Sequence, residues 1–141
     1  MPLSAPSVAP ELIRVIVIED NEDDRILLLR QLKSANMSEQ IKFIPDGKEA
    51  IDYFQTHTAA LAQSLMVVFL DLKLPSVSGL EVLRAIRAEA ALAHVPVIVM
   101  TSSNNPKDLE ECQALRVAQW VDKPITFDTF SRAIADTFHR R

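Results

Sequence analysis

The chain has 141 residues, 48% hydrophobic and 24% charged, with 15 Lys and Arg against 19 Asp and Glu for a net charge of −4. That length supports one domain with a real core; the charge gives no electrostatic footprint for nucleic acid, and no apolar run approaches a membrane span. The single cysteine, Cys112, excludes an internal disulfide and a cysteine-based zinc cluster, and fits a reducing, cytoplasmic setting.

Residues 1–11 carry Pro2, Pro6 and Pro10 among Ser and Ala and read as a flexible leader, without the charged and hydrophobic regions of a signal peptide. A domain is expected over 12–141. The apolar run 15–18 ends in Glu19, Asp20, Asn21, Glu22, Asp23 and Asp24. Ile26, Leu29 and Leu32 then recur at helical spacing, so a helix begins near 21–24 and ends near 36. Asn21 suits an N-cap, and acids in a first turn suit the helix dipole. Capping accounts for Glu22, Asp23 and Asp24. It accounts less well for Glu19 and Asp20, which sit at the strand end, where adjacent carboxylates repel unless a cation or a proton intervenes. For that pair metal binding outweighs capping.

Residues 41–44 form a short strand, and Pro45, Asp46 and Gly47 turn into a helix over 48–55 whose inner face carries Ile51 and Phe54. The polar, alanine-rich stretch 56–64 either prolongs that helix or forms a surface loop. The run 65–71 is continuously apolar until it ends in Asp71, the pattern of a strand buried on both faces of a parallel sheet. After a loop over 75–79, Leu80, Leu83 and Ile86 define a helix running to about 92. A fourth strand over 95–100 leads into Thr101, with Asn105 as N-cap and Pro106 at the first helical position. Leu109, Cys112 and Leu115 carry that helix inward, which makes Cys112 core rather than reactive. A brief fifth strand over 120–122 leads to Lys123 and Pro124. Thr126 caps a last helix whose inner face is Phe127, Phe130, Ile134 and Phe138.

Five strands alternating with five helices pack economically as a doubly wound parallel sheet covered on both faces. The flavodoxin-like order 2-1-3-4-5 brings the ends of strands one, three, four and five to one edge, where such folds bind ligands. Glu19, Asp20, Asp71, Thr101 and Lys123 meet there. Taken singly each has a plain role: Asp71 as a helix cap, Thr101 as a strand end, Lys123 in a surface turn. Taken together, the acids can hold a hard divalent cation such as magnesium, and Asp71 can attack phosphorus while the cation and Lys123 neutralise phosphoryl charge.

This sequence resembles the receiver domain of two-component response regulators. The matching pieces are 17–21 with Glu19 and Asp20, 69–75 around Asp71 with Gly79, 99–102 with Thr101 and Ser102, and 121–124 with Lys123 and Pro124. The stretches 51–65 and 92–96, with Thr101, Ser102 and Ser103, are further similar to stand-alone receivers that partner phytochrome-type histidine kinases. The resemblance implies that Asp71 is the phosphoacceptor of a phosphorelay, taking its group from a kinase phosphohistidine. It implies magnesium held by Asp20, Asp71 and the Lys73 carbonyl, with Glu19 acting through water. Lys123 would pair with the phosphoryl group, Thr101 would turn toward it, and Ser102 would belong to the same phosphoryl-binding set. Trp120 would move inward as the readout, and the Lys123–Pro124 peptide is expected to be cis. Output is expected through protein contacts, to a target or a histidine phosphotransfer partner, in a single-domain switch that is a phosphoacceptor and not an enzyme. The surface of the fourth helix, fifth strand and fifth helix is the implied binding or homodimer face.

Glu19 stands where aspartate is commoner, and Trp120 where Tyr, Phe or His is usual. Lys73, two residues after the phosphoacceptor, is expected to lengthen the phosphoryl lifetime by covering the phosphoryl group with its ammonium where attacking water arrives, and Ser103 is counted with it as a lifetime-tuning residue. Arg116 occupies a position usually held by glycine, so its loop adopts a strained positive φ or another shape. An aspartyl-phosphate phosphatase of the haloacid dehalogenase type is the enzyme rival, but it places a second aspartate where this chain has Lys73. A flavodoxin-like cofactor carrier needs a Gly/Ser/Thr-rich loop after the first strand, where here five acids would repel a phosphate. A receiver that has lost phosphorylation conflicts with the presence of every required side chain.

Overall fold

The computed structural model describes residues 9–34, 36, 39–101, 105–123 and 125–139. The expectations for Ser102, Ser103 and the Lys123–Pro124 peptide lie outside these, as does most of the leader. Five strands, β1 (Val15–Ile18), β2 (Ile41–Ile44), β3 (Val67–Asp71), β4 (Val97–Thr101) and β5 (Gln119–Asp122), pair in parallel in the order β2-β1-β3-β4-β5. This is the expected flavodoxin-like order. Every residue of β1, β3 and β4 is buried, which is why these strands are unbroken apolar runs rather than alternating ones.

The helices α1 (Glu22–Ser34), α2 (Gly47–Thr56), α3 (Thr58–Ser64), α4 (Gly79–Ala88), α5 (Pro106–Ala114) and α6 (Phe127–His139) cover the two faces. Because side chains alternate along a strand, Ile16, Ile18, Val68, Leu70, Val97 and Val99 meet Phe54, Leu83, Ile86 and Cys112 on the α2–α5 side. Val15, Val17, Val67, Phe69, Ile98 and Met100 meet Leu28, Leu32 and Phe130 on the α1 and α6 side. Phe69 and Phe130 stack there with centroids 4.6 Å apart.

Among the described residues six α-helices stand where five were expected. His57, at φ −116° and ψ 26°, breaks α2, and the Thr58 hydroxyl donates to the Phe54 carbonyl at 2.6 Å, ending one helix where α3 begins. The alanines of α3 gave no apolar period; its single buried residue is Leu61. The fourth and fifth expected helices are thus α5 and α6. Helix α4 stops at Ala88, and Glu89 is extended before a 3-10 turn over Ala90–Leu92. Pro10–Leu12, at the edge of the expected leader, forms another 3-10 turn, held where the Ser64 hydroxyl donates to the Pro10 carbonyl at 3.0 Å. The expected caps are present: Asn21 accepts from the Asp24 N–H at 2.9 Å, Asn105 from Lys107 at 2.9 Å and Thr126 from Thr129 at 3.2 Å. Arg116 takes the strained alternative, with φ 60°.

Candidate functional site

The strand order reverses between β1 and β3, so their carboxyl ends form the crevice in which such sheets place a site. Among the described residues the buried polar or charged ones are Glu19, Asp71 and Thr101, and all three sit at strand ends on this edge. Glu19 follows β1 directly. Its Oε2 accepts from the Asn21 N–H at 3.1 Å. Its Oε1 lies 2.7 Å from Lys123 Nζ, yet at an angle that leaves this buried oxygen without a directed hydrogen bond. Asp20 is exposed beside it.

Asp71 ends β3, with Oδ1 accepting from the Lys73 N–H at 3.0 Å and Oδ2 from Lys123 Nζ at 2.9 Å. Lys123 is placed by its own backbone, whose N–H donates to the Thr101 carbonyl at 3.1 Å as β5 leaves the sheet. One ammonium therefore bridges the acids of β1 and β3. Burial pushes Glu19 up from 4.5 to about 7, against the lowering contacts of Lys123 and the Asn21 N–H, while the charge on Asp71 adds to the rise. Burial alone would lower Lys123, but the carboxylates of Glu19 and Asp71 outweigh it and hold the ammonium well above its usual range.

One oxygen each from Glu19, Asp20 and Asp71 lies within 4.8 Å of the others. Three carboxylate oxygens so grouped, with Oε1 of Glu19 buried and without a directed hydrogen bond, fit a hard divalent cation of the magnesium type. Lys73 contributes its N–H to Asp71, and its side chain is exposed. Trp120 is half-buried on β5 in register with Val99, packed against the α2–α5 core.

Two residues join this set without having been singled out. Asp24, read only as a first-turn acid, brings its carboxylate to 3.8 Å from Lys123. Arg25 donates through Nη1 to the carbonyls of Glu19 at 2.9 Å and Asp20 at 3.0 Å, pinning the acidic loop from the first turn of α1. An arginine in a first helical turn opposes the dipole, and that misfit was the available signal. The close approach of Gly79 was legible only as a motif glycine. A Cβ there would meet the Asp71 carbonyl at 2.3 Å and Leu72 Cα at 2.5 Å, so glycine lets α4 start against the peptide that carries Asp71.

Comparison with known proteins gives one pattern. A family model described as response regulator receiver domain matches residues 15–135. The chain is 31% identical over 122 residues to the probable methanogenesis regulatory protein FilR2 of Methanothrix harundinacea (strain 6Ac), covering 86% of this chain and 79% of that protein. It is 32% identical over 120 residues to the polar-differentiation response regulator DivK of Brucella anthropi, covering 85% and 91% respectively. The solved bacteriophytochrome response regulator AtBRR is similar at 36% identity and a TM-score of 0.72, over 90% of this chain and 93% of that one.

Proposed function

The chain belongs to the response regulator receiver domain family of two-component signalling, and from that membership we propose that Asp71 accepts a phosphoryl group from a histidine kinase. One observation carries this reading: a buried carboxylate at the end of β3, held by the Lys73 N–H and by Lys123, within 4.8 Å of the oxygens of Glu19 and Asp20.

In the step itself, an Asp71 oxygen bonds to phosphorus as the P–N bond of the kinase phosphohistidine breaks. The electron pair returns to the leaving imidazole, and an acyl phosphate remains on Asp71. Receiver domains bind magnesium at an acidic pocket, and here Asp20 and Asp71 would hold it, with the Lys73 carbonyl, while Glu19 acts through water. Bound there, the cation neutralises charge on the phosphoryl oxygens. Lys123 moves its ammonium from the Asp71 carboxylate onto the phosphoryl group that replaces its charge. The Thr101 hydroxyl, on the neighbouring strand end, donates to a phosphoryl oxygen. Trp120 follows Thr101 toward the space it vacates, and the face of α5, β5 and α6 changes with them. Lys73 and Ser103 set how long the group stays.

Similarity to a bacteriophytochrome response regulator at 36% identity supports a phytochrome-type kinase as the donor. The high coverage of DivK and AtBRR supports a stand-alone receiver with protein-contact output, to a target, a histidine phosphotransfer protein or a second copy through α5, β5 and α6. Among the described residues no helix is long and apolar enough to cross a membrane. A cytoplasmic location follows from the proposed histidine kinase donor alone.

The test is incubation with acetyl phosphate and magnesium followed by intact mass. The parent gains one phosphoryl group and Asp71→Asn gains none. A parent that stays unmodified, or an equal gain in the variant, overturns the reading.

A further inference from the structure

The chain contains two glycines, neither with positive φ, and both are buried against the loop that follows Asp71. Gly79 meets the loop at its start, where its N–H donates to the Leu72 carbonyl at 2.9 Å. Gly47, the first residue of α2, meets it at its far end: a Cβ there would lie 2.5 Å from the Val77 carbonyl oxygen. Close approach, not turn geometry, is what both positions require.

The residue before Gly47 makes a third attachment. Asp46 caps α2 by accepting from the Glu49 N–H at 3.0 Å through Oδ2, while Oδ1 accepts from the Ser76 hydroxyl. The Ser76 bond and the cap together hold the Asp46 carboxyl below its usual range. One side chain thus starts a helix and grips a loop 30 residues away. The grip has a route to the reacting group, because the same loop supplies the Lys73 N–H that orients Oδ1 of Asp71 at 3.0 Å.

We propose that Asp46 and Ser76 form a tether that positions the loop over residues 72–78, with Asp46 a positioning residue for the phosphoryl group on Asp71. This rests on the reading of Asp71 given above. With the tether intact, the Lys73 N–H and the exposed Lys73 side chain keep a fixed place beside the acyl phosphate. With it cut, the loop moves and water reaches phosphorus more often. In that hydrolysis the water oxygen bonds to phosphorus, the bond from phosphorus to the Asp71 oxygen breaks, Asp71 regains its carboxylate and inorganic phosphate departs with the water's protons.

Helix capping and loop tethering are separable by substitution. Asp46→Ser keeps a good N-cap, but its single short hydroxyl cannot also reach the loop. Ser76→Ala removes the tether alone, and Ser76→Thr restores a hydroxyl. The experiment measures amide hydrogen exchange over 72–78 and the rate of phosphoryl loss after labelling with acetyl phosphate and magnesium. In Asp46→Ser and Ser76→Ala both rates rise about two- to fivefold, the factor expected from one partly solvated hydrogen bond. Ser76→Thr behaves as the parent, and the double variant exceeds neither single one. Unchanged exchange over 72–78 in Ser76→Ala overturns the tether. Faster exchange with unchanged phosphoryl loss overturns the positioning role while leaving Asp71 as phosphoacceptor. A parent that takes up no phosphoryl group overturns both.

Discussion

Lys123 Nζ stands 2.9 Å from Oδ2 of Asp71, joining residues 52 apart in sequence across the end of the sheet. The same ammonium is 2.7 Å from Glu19, so two carboxylates only 2% and 3% exposed share one cation.

Replacing Lys123 with Met removes that cation and leaves both acids facing each other. Its side chain is 18% exposed, so the loss is screened in part, and we expect about 1–3 kcal/mol in urea unfolding. Magnesium should return part of it by replacing the missing charge. Equal urea midpoints for parent and variant without magnesium would contradict the shared-cation account.

The raised Glu19 carboxyl predicts an unusual pH trend. Its folded value is about 7 against an ordinary 4.5, so between these the folded chain binds more protons than the unfolded one. Stability from this group is therefore fully present below about 4.5 and lost as pH rises through about 7. In Glu19→Gln that slope disappears from urea titrations run across the window without divalent cations. With magnesium the parent's slope is expected to flatten or reverse, because in the proposed site the ionised carboxylate is the form that meets the cation through water.

Gly79→Ala should be costly on two counts. The added methyl meets the Asp71 carbonyl and Leu72 Cα, both backbone atoms that cannot swing away. An overpacking cost of about 1–3 kcal/mol follows. Because the displaced peptide belongs to the proposed phosphoacceptor, uptake from acetyl phosphate should slow as well. A variant that loses stability but keeps the parental uptake rate would detach Gly79 from the site.

Arg116 offers a gain instead. It holds φ 60°, and its carbonyl accepts from Arg87 Nη2 at 3.2 Å, a contact that the backbone alone supplies. Arg116→Gly relieves the left-handed strain, less the greater freedom of glycine when unfolded, for a net of about 0.5–1 kcal/mol. Its guanidinium also repels Arg87, whose pKa is lowered first by burial and then by this neighbour. A lower thermal midpoint in the variant would show that the arginine side chain makes a compensating contact.

The sheet was legible because its pattern is local. Residues 15–18 and 67–71 are apolar throughout, and only a strand covered on both faces tolerates that. The site was legible because strand ends converge by topology, so Glu19, Asp71 and Thr101 met without knowledge of any distance. What stayed hidden depends on contacts between distant segments or on packing without periodicity. Helix α3 carries alanines on all sides, so nothing in its spacing separates helix from loop. Gly47 reads as a turn glycine, yet its negative φ leaves close packing on Val77 as its reason. Arg25 reaching two carbonyls, and Asp46 reaching Ser76, are side-chain geometries that no residue spacing encodes.

Cys112 is fully buried, and burial followed by the charges of Asp108 and Glu111 pushes its thiol up to about 11. A thiol reagent therefore waits for α5 to open, and the labelling rate becomes a clock for that opening, supplied by the native sequence. Since α5 belongs to the face proposed to respond to phosphorylation, the same clock run on charged and uncharged protein would time the movement of that face.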